Sequence, residues 1–218
     1  CSRGCGLYTG GCDNGTLLPG DFRFKIAWPT PHTAANEVDL YVKAVYSSGP
    51  LAGQTRYFGW KDGSPDTRYV GNGNFSTDHI RLFWDVTGGT HATDPEIMVL
   101  STQSLPQGTY HVFANGGSCF VDGNYGLAPL FDRNTGWWKA ASATIKSNSI
   151  FTIETGSAES TSGIASGTTR PLSSVSNISG NPCMWYIGRI DKTSSSDEGR
   201  FTLKNKYVNR ADGPNAND

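Results

Sequence analysis

Apolar and polar residues alternate along most of this chain. From Phe22 to Trp28 the large residues Phe22, Phe24, Ile26 and Trp28 take every second position, with Arg23, Lys25 and Ala27 between them. Pro29 and Pro31 then end the run. Leu40, Val42, Ala44 and Tyr46 repeat the period, Arg56 to Trp60 is a short third run, and Ile80, Leu82, Trp84 and Val86 form a fourth. Glu96 to Leu100 follows. In the stretch Leu105 to Asn115, Pro106 and Gly108 make a turn, and Tyr110, Val112 and Ala114 share one face opposite Thr109, His111 and Phe113. Ala143 to Glu154 reads as a bent strand or strand pair, and Met184 to Ile190 and Gly199 to Val208 close the set. No window carries a strong helical period. About nine strands whose alternating faces need burial predict an all-β, antiparallel β-sandwich with long loops.

The pattern also divides the chain. Residues 1–20 form a Gly-rich lead, clamped by Cys5 and Cys12, with too few apolar residues for a core of its own. Residues 21–209 read as a single sandwich domain with a sub-boundary near 115–122, and residues 210–218 as a polar tail. Within the domain, 156–182 is a Ser/Thr/Gly-rich excursion.

Composition sharpens this picture in two places. The formal net charge of −1 lacks the basic excess that phosphate neutralisation requires, so nucleic acid is excluded as a partner, and no apolar run is long enough for a transmembrane helix. Five cysteines among many Gly, Ser and Thr point to an oxidising compartment, hence to an extracellular or cell-surface protein. Cys1 at the first position reads as a processed, mature start and as a candidate for lipidation or for an intermolecular thiol. That leaves Cys5 with Cys12 and Cys119 with Cys183 as disulfide candidates; local pairing of Cys1 is the alternative.

Four short pieces carry a resemblance: the strand ending at Trp28, Val38-Asp39-Leu40-Tyr41-Val42, Asp94-Pro95-Glu96-Ile97, and Gly108-Thr109-Tyr110-His111-Val112. Through them Asp21 to Asn115 resembles the YfaP-like family of bacterial surface or periplasmic domains of unknown function. More loosely, the same pieces resemble the calcium-using pre-peptidase C-terminal sandwich domains. The resemblance implies an extracytoplasmic sandwich that binds or assembles rather than catalyses.

Candidate chemistry is sparse. The nucleophile-elbow, zinc-helix, C-x-x-C and P-loop signatures are absent, so no catalytic residue is assigned. His79 and His111 alternate with apolar residues, as solvent-facing strand positions do. Asp39, Asp85, Asp94 and Glu96 lie in or beside strands and form the candidate set for calcium, although Asp39 faces opposite Leu40 and Val42, where a solvated carboxylate also belongs. A hydrolase would use Asp85 and Glu96 as its pair. Trp60, Trp137 and Trp138 are candidates for stacking on sugars, against the plainer role of capping the core. Glycosylation sequons occur at Asn14, Asn74 and Asn177.

The polar, Gly-rich ends need a surface to hold them. Either they pack on their own domain, or an extended end adds to the sheet of a second copy and, repeated head to tail, builds a fibre. The sequence therefore points first to a non-enzymatic, secreted or cell-surface structural subunit that polymerises like a pilus, with itself as partner and no cofactor beyond the calcium candidate. The second reading is a carbohydrate-binding or adhesive module with glycans as partners.

Overall fold

The structure is a computed structural model that describes residues 17–27, 38–58, 69–70, 80–84, 96–116, 131–132, 137–138, 150–165, 168–171 and 184–208. Two sheets carry the fold. Sheet A holds five strands in the order β11 (Thr168–Pro171), β10 (Ile150–Thr155), β1 (Asp21–Ala27), β6 (Glu96–Ser101) and β5 (Ile80–Trp84). Sheet B holds six: β13 (Arg200–Val208), β12 (Met184–Lys192), β7 (Gly108–Gly116), β2 (Val38–Tyr46), β3 (Thr55–Phe58) and β4 (Tyr69–Val70). All pairings are antiparallel except that of β3 with β4. A two-stranded ribbon pairs β8 (Phe131–Asp132) with β9 (Trp137–Trp138), and one short helix, α1, spans Glu159–Ser162.

The alternation seen in sequence becomes the core. Phe22, Phe24 and Ile26 of β1, Met98 and Leu100 of β6, and Phe151 and Ile153 of β10 meet Leu40, Val42 and Ala44 of β2 and Tyr110, Val112 and Ala114 of β7. All are at most 1% exposed, and full burial of such a side chain is worth about 1.5–3 kcal/mol. Tyr110 stays in the core because its hydroxyl donates to the Pro106 carbonyl. Burial, reinforced by Tyr46, pushes its pKa upward, so the ring remains neutral.

β12 breaks the simple period. Its register shifts between Tyr186 and Gly188, which lets Ile187 and Ile190 both enter the core while Tyr186 points the other way. Gly188 lacks a Cβ for a steric reason: a Cβ there would lie 2.5 Å from the ring of Phe201.

The sheets are fastened together where β1 begins and where β6, β10 and β12 end. There Thr102, wholly buried, brings three chain segments together. Its N–H donates to the Gly20 carbonyl at 2.7 Å, and its Oγ1 lies 2.7 Å from that carbonyl and 2.5 Å from the carbonyl of Glu198. The buried ammonium of Lys192 donates to the Thr102 carbonyl; desolvation lowers its pKa, and Asp197 opposes that shift.

Gly20, at φ +86°, turns the chain and receives a second tie, its N–H donating to Ser157 Oγ at 2.8 Å. Asp21 completes the corner, with one carboxylate oxygen accepting from Ser101 Oγ (2.6 Å) and the other from the Leu18 N–H (2.9 Å). Residues 17–20, the last of the lead, are thus bonded to the body of the domain.

The loop from β12 to β13 is closed by Asp197. It accepts from the N–H and hydroxyl of Thr193 and from the N–H of Gly199, at 2.8 to 2.9 Å. Desolvation works to raise its pKa, but these donors and Lys192 outweigh it and hold the carboxyl below the usual carboxylate range.

Compared with the predicted strands, β4, β8, β9, β11 and α1 are additions. β11 and α1 lie in the Ser/Thr/Gly-rich excursion, where β11 pairs with β10 from Ile150↔Pro171 to Ile153↔Thr168.

Two tests follow from the fastened end. Thr102→Val keeps the shape but removes the hydroxyl, leaving the Glu198 carbonyl without that donor; urea unfolding at pH 7 should show a loss of about 1–2 kcal/mol. A carboxyl with a depressed folded pKa contributes stability above its unfolded pKa and loses it as pH falls. Asp197→Asn should therefore flatten the decline of the urea midpoint below about pH 4 and leave it unchanged in slope from pH 5 to 7.

Candidate functional site

Two regions outside the shared core concentrate chemistry: the end of the sandwich opposite Thr102, and the flank where β13 lies.

At the opposite end, Glu96 opens β6 across from Ile26 of β1. It is fully buried, and its Oε1 accepts the N–H of Leu40 in β2, so the carboxylate spans the gap between the sheets. Its role is that of a bridge, satisfying a backbone donor that the core would otherwise strand. Asp39 lies one position before Leu40 in β2. Asp85 and Asp94 fall outside the described residues, one position after β5 and two before β6. A calcium site needs six or more oxygens, and among the described residues no three His, Cys, Asp or Glu side chains converge. Of the four candidates, Glu96 is the one whose side chain is described.

The outward face of sheet B at this end departs from the predicted pattern. His111 is not solvent-facing: it is 1% exposed, and its Nδ1 lies 2.7 Å from the hydroxyl of the buried Tyr186. Phe113 stacks on Tyr186 with ring centroids 4.8 Å apart and planes 19° apart, and Tyr41, opposite Phe113 in the register, is buried as well. β7 is therefore apolar-packed on both faces, which strand alternation alone does not announce. Lys43 and Arg189 flank His111 on the two neighbouring strands. Arg189 donates to Asp191 at 2.9 Å, and Thr109 donates to the other oxygen of Asp191 at 3.0 Å.

The remaining candidates divide plainly. Cys1, Cys5, Cys12, Asn14, Trp60, Asn74, Cys119, Asn177 and Cys183 lie outside the described residues. Trp137 and Trp138 form β9, paired with Asp132 and Phe131. β12 begins at Met184 opposite Asn115 of β7, so Cys183 immediately precedes one strand and Cys119 follows the end of its neighbour by three positions.

On the flank, β13 is the outer strand of sheet B. Beside it, between the sheets, a recess of about 250 Å³ is lined by Phe151 and Ile153 of β10, Ile164 and Ala165 after α1, and Phe201 and Leu203 of β13, with Glu159 and Gly163 completing it. Leu203 is 37% exposed, a large apolar side chain facing water at the opening. Arg200, at the start of β13, donates to the carbonyls of Ser160 and Thr161 at 3.3 and 3.5 Å, holding α1 as one wall.

Comparison with known proteins adds the fold alone. No family model matches the chain, and no curated protein matches it. A solved structure described as "Crystal structure of unknown function protein SAV2460" is similar, with a TM-score of 0.51 and 14% identity over 86% of this chain and 89% of that one. The class is an all-β sandwich, and function must be argued from the chain's own residues.

Glu96 offers a direct test of its bridging role. Glu96→Ala removes the acceptor for the Leu40 N–H and should cost about 1–3 kcal/mol in urea unfolding, whereas Glu96→Gln, which keeps a carbonyl oxygen, should cost clearly less.

Proposed function

We propose that this chain is a non-enzymatic structural subunit of an extracellular or cell-surface fibre, and that its N-terminal lead joins one copy to the next. The observation that carries this reading is the anchoring of residues 17–21. Gly20 is bonded on both sides, to Thr102 and to Ser157, and Asp21 ties Leu18 and Ser101. A segment that leaves a sandwich from such a fixed point acts as a tether with a defined origin. The sixteen residues ahead of Leu17 contain a single pair of bulky apolar side chains, Leu7 and Tyr8, too few for a core of their own. An extended segment of that kind gains main-chain partners by adding to a sheet edge, and a head-to-tail contact that does not close generates a filament.

Support also comes from where the polar groups are used. Glu96, His111, Lys192 and Thr102 are buried in packing and bridging roles, consistent with a body built for rigidity.

The test is a truncation placed by the anchor. The full chain at about 100 μM should sediment as oligomers and show filaments by electron microscopy. The variant lacking residues 1–16 should stay monomeric with an unchanged melting temperature. A monomeric full chain, or a truncated variant that assembles normally, would overturn the proposal.

A further inference from the structure

A subunit joined to its neighbour through one segment carries, at the root of that segment, whatever tension the fibre bears. Here the lead meets the domain at a turn, Leu18 to Asp21, closed by the Asp21 N–H donating to the Leu18 carbonyl at 2.9 Å. Behind the turn lies β1, which sits between β10 and β6 in sheet A. Both of its ladders run without a shift of register, from Phe22↔Thr155 to Ala27↔Ile150 on one side and from Asp21↔Ser101 to Ile26↔Glu96 on the other.

The root is held from both of these neighbours. Just after β6, the Thr102 N–H donates to the Gly20 carbonyl at 2.7 Å. At the end of β10, Ser157 Oγ accepts the Gly20 N–H at 2.8 Å, and Thr155 Oγ1 donates to the Asp21 carbonyl at 2.7 Å. Gly156 lies between those two and serves as a seat. A Cβ there would collide with the main-chain carbonyls of Leu17 and Leu18, so the backbone of the lead runs directly over it. Gly20 is closed in from the other side, where a Cβ would strike Gln103.

Direction decides how such a root responds to force. β1 starts at the end of the sandwich where β6 and β10 finish, and Ala27, at its other end, pairs with the first residue of β10. Tension between the lead and the far end of the sheet therefore runs along the strands. The ladder bonds of antiparallel strands lie across the strand direction, so this tension falls on them together. A strand pulled sideways from its end opens instead pair by pair.

We infer that residues 17–21, seated on Thr155, Gly156 and Ser157 and continued by β1, form a tension clamp that resists force delivered through the lead by shear. This rests on the fibre reading above and gives the root of the lead a mechanical function beyond joining copies.

The test is single-molecule stretching of the full chain at constant force, with handles attached through p-azidophenylalanine so that the cysteines stay untouched. Handles in place of Leu18 and Ile150, which are 38% and 44% exposed and lie at opposite ends of the β1–β10 ladder, load it in shear. Handles in place of Leu18 and the exposed Ser160 leave from the same end and peel it. At equal force the sheared chain should hold more than about tenfold longer, because several bonds must break together. Ser157→Ala should shorten that lifetime about 2–10-fold, as the loss of one bond does. The same substitution should leave unchanged the lifetime between handles at Ile150 and the exposed Thr202, which bypass the lead.

Equal lifetimes in shear and peel would overturn the clamp and leave the fibre reading standing. So would a Ser157→Ala variant that is silent in shear, or one that shortens the bypass lifetime equally, since a merely structural serine would do that. If the clamp is found but the full chain stays monomeric by sedimentation, the fibre reading fails, and with no tension to bear the inference fails with it.

Discussion

The junction at Thr102 is the constraint on which the rest of this molecule depends. Two sheets in contact only through apolar faces are held by a force without direction. Hydrogen bonds from one buried threonine to Gly20 and toward Glu198, with Lys192 closing on its carbonyl, fix which ends of the sheets meet. Because an unpaired buried donor or acceptor costs more than a satisfied one returns, the junction is all or nothing. It also fixes the place where the lead leaves the domain, which ties the fold to the proposed assembly.

At the far end Glu96 plays the complementary part, one carboxylate reaching across to the Leu40 amide. The sandwich is thus bridged by polar contacts at both ends, with the aromatic and aliphatic core between them. On the flank β13 runs for nine residues, its pairing with β12 shifts register, and Asn205 within it takes a φ of 48°. A body tied by polar contacts at both ends is consistent with the proposed repeating unit.

Much of this was legible in the sequence, for a simple reason. Phe22, Phe24 and Ile26, or Tyr110, Val112 and Ala114, are close neighbours in the chain, and their period of two follows directly from strand geometry. What escaped was whatever depends on partners far away. His111 sits among apolar neighbours like any outward strand position, but it is buried, and its partner Tyr186 lies seventy-five residues on. Glu96 was legible as a carboxylate beside a strand, but that its Oε1 accepts a main-chain amide of the facing sheet leaves no trace in residue type. Thr102 and Lys192 carried no signal at all, since a junction between segments eighty to ninety-six residues apart has no local period. β11 was hidden in a polar stretch because an outer strand has little surface to bury.

The central claim, that an anchored lead leaves one copy and joins it to the next, can be read directly by hydrogen exchange with mass spectrometry on the monomer and the assembled protein. The amides of Gly20 and Thr102 should be protected equally in both states, while the lead gains protection only on assembly. Equal protection of the lead in the two states would contradict the account.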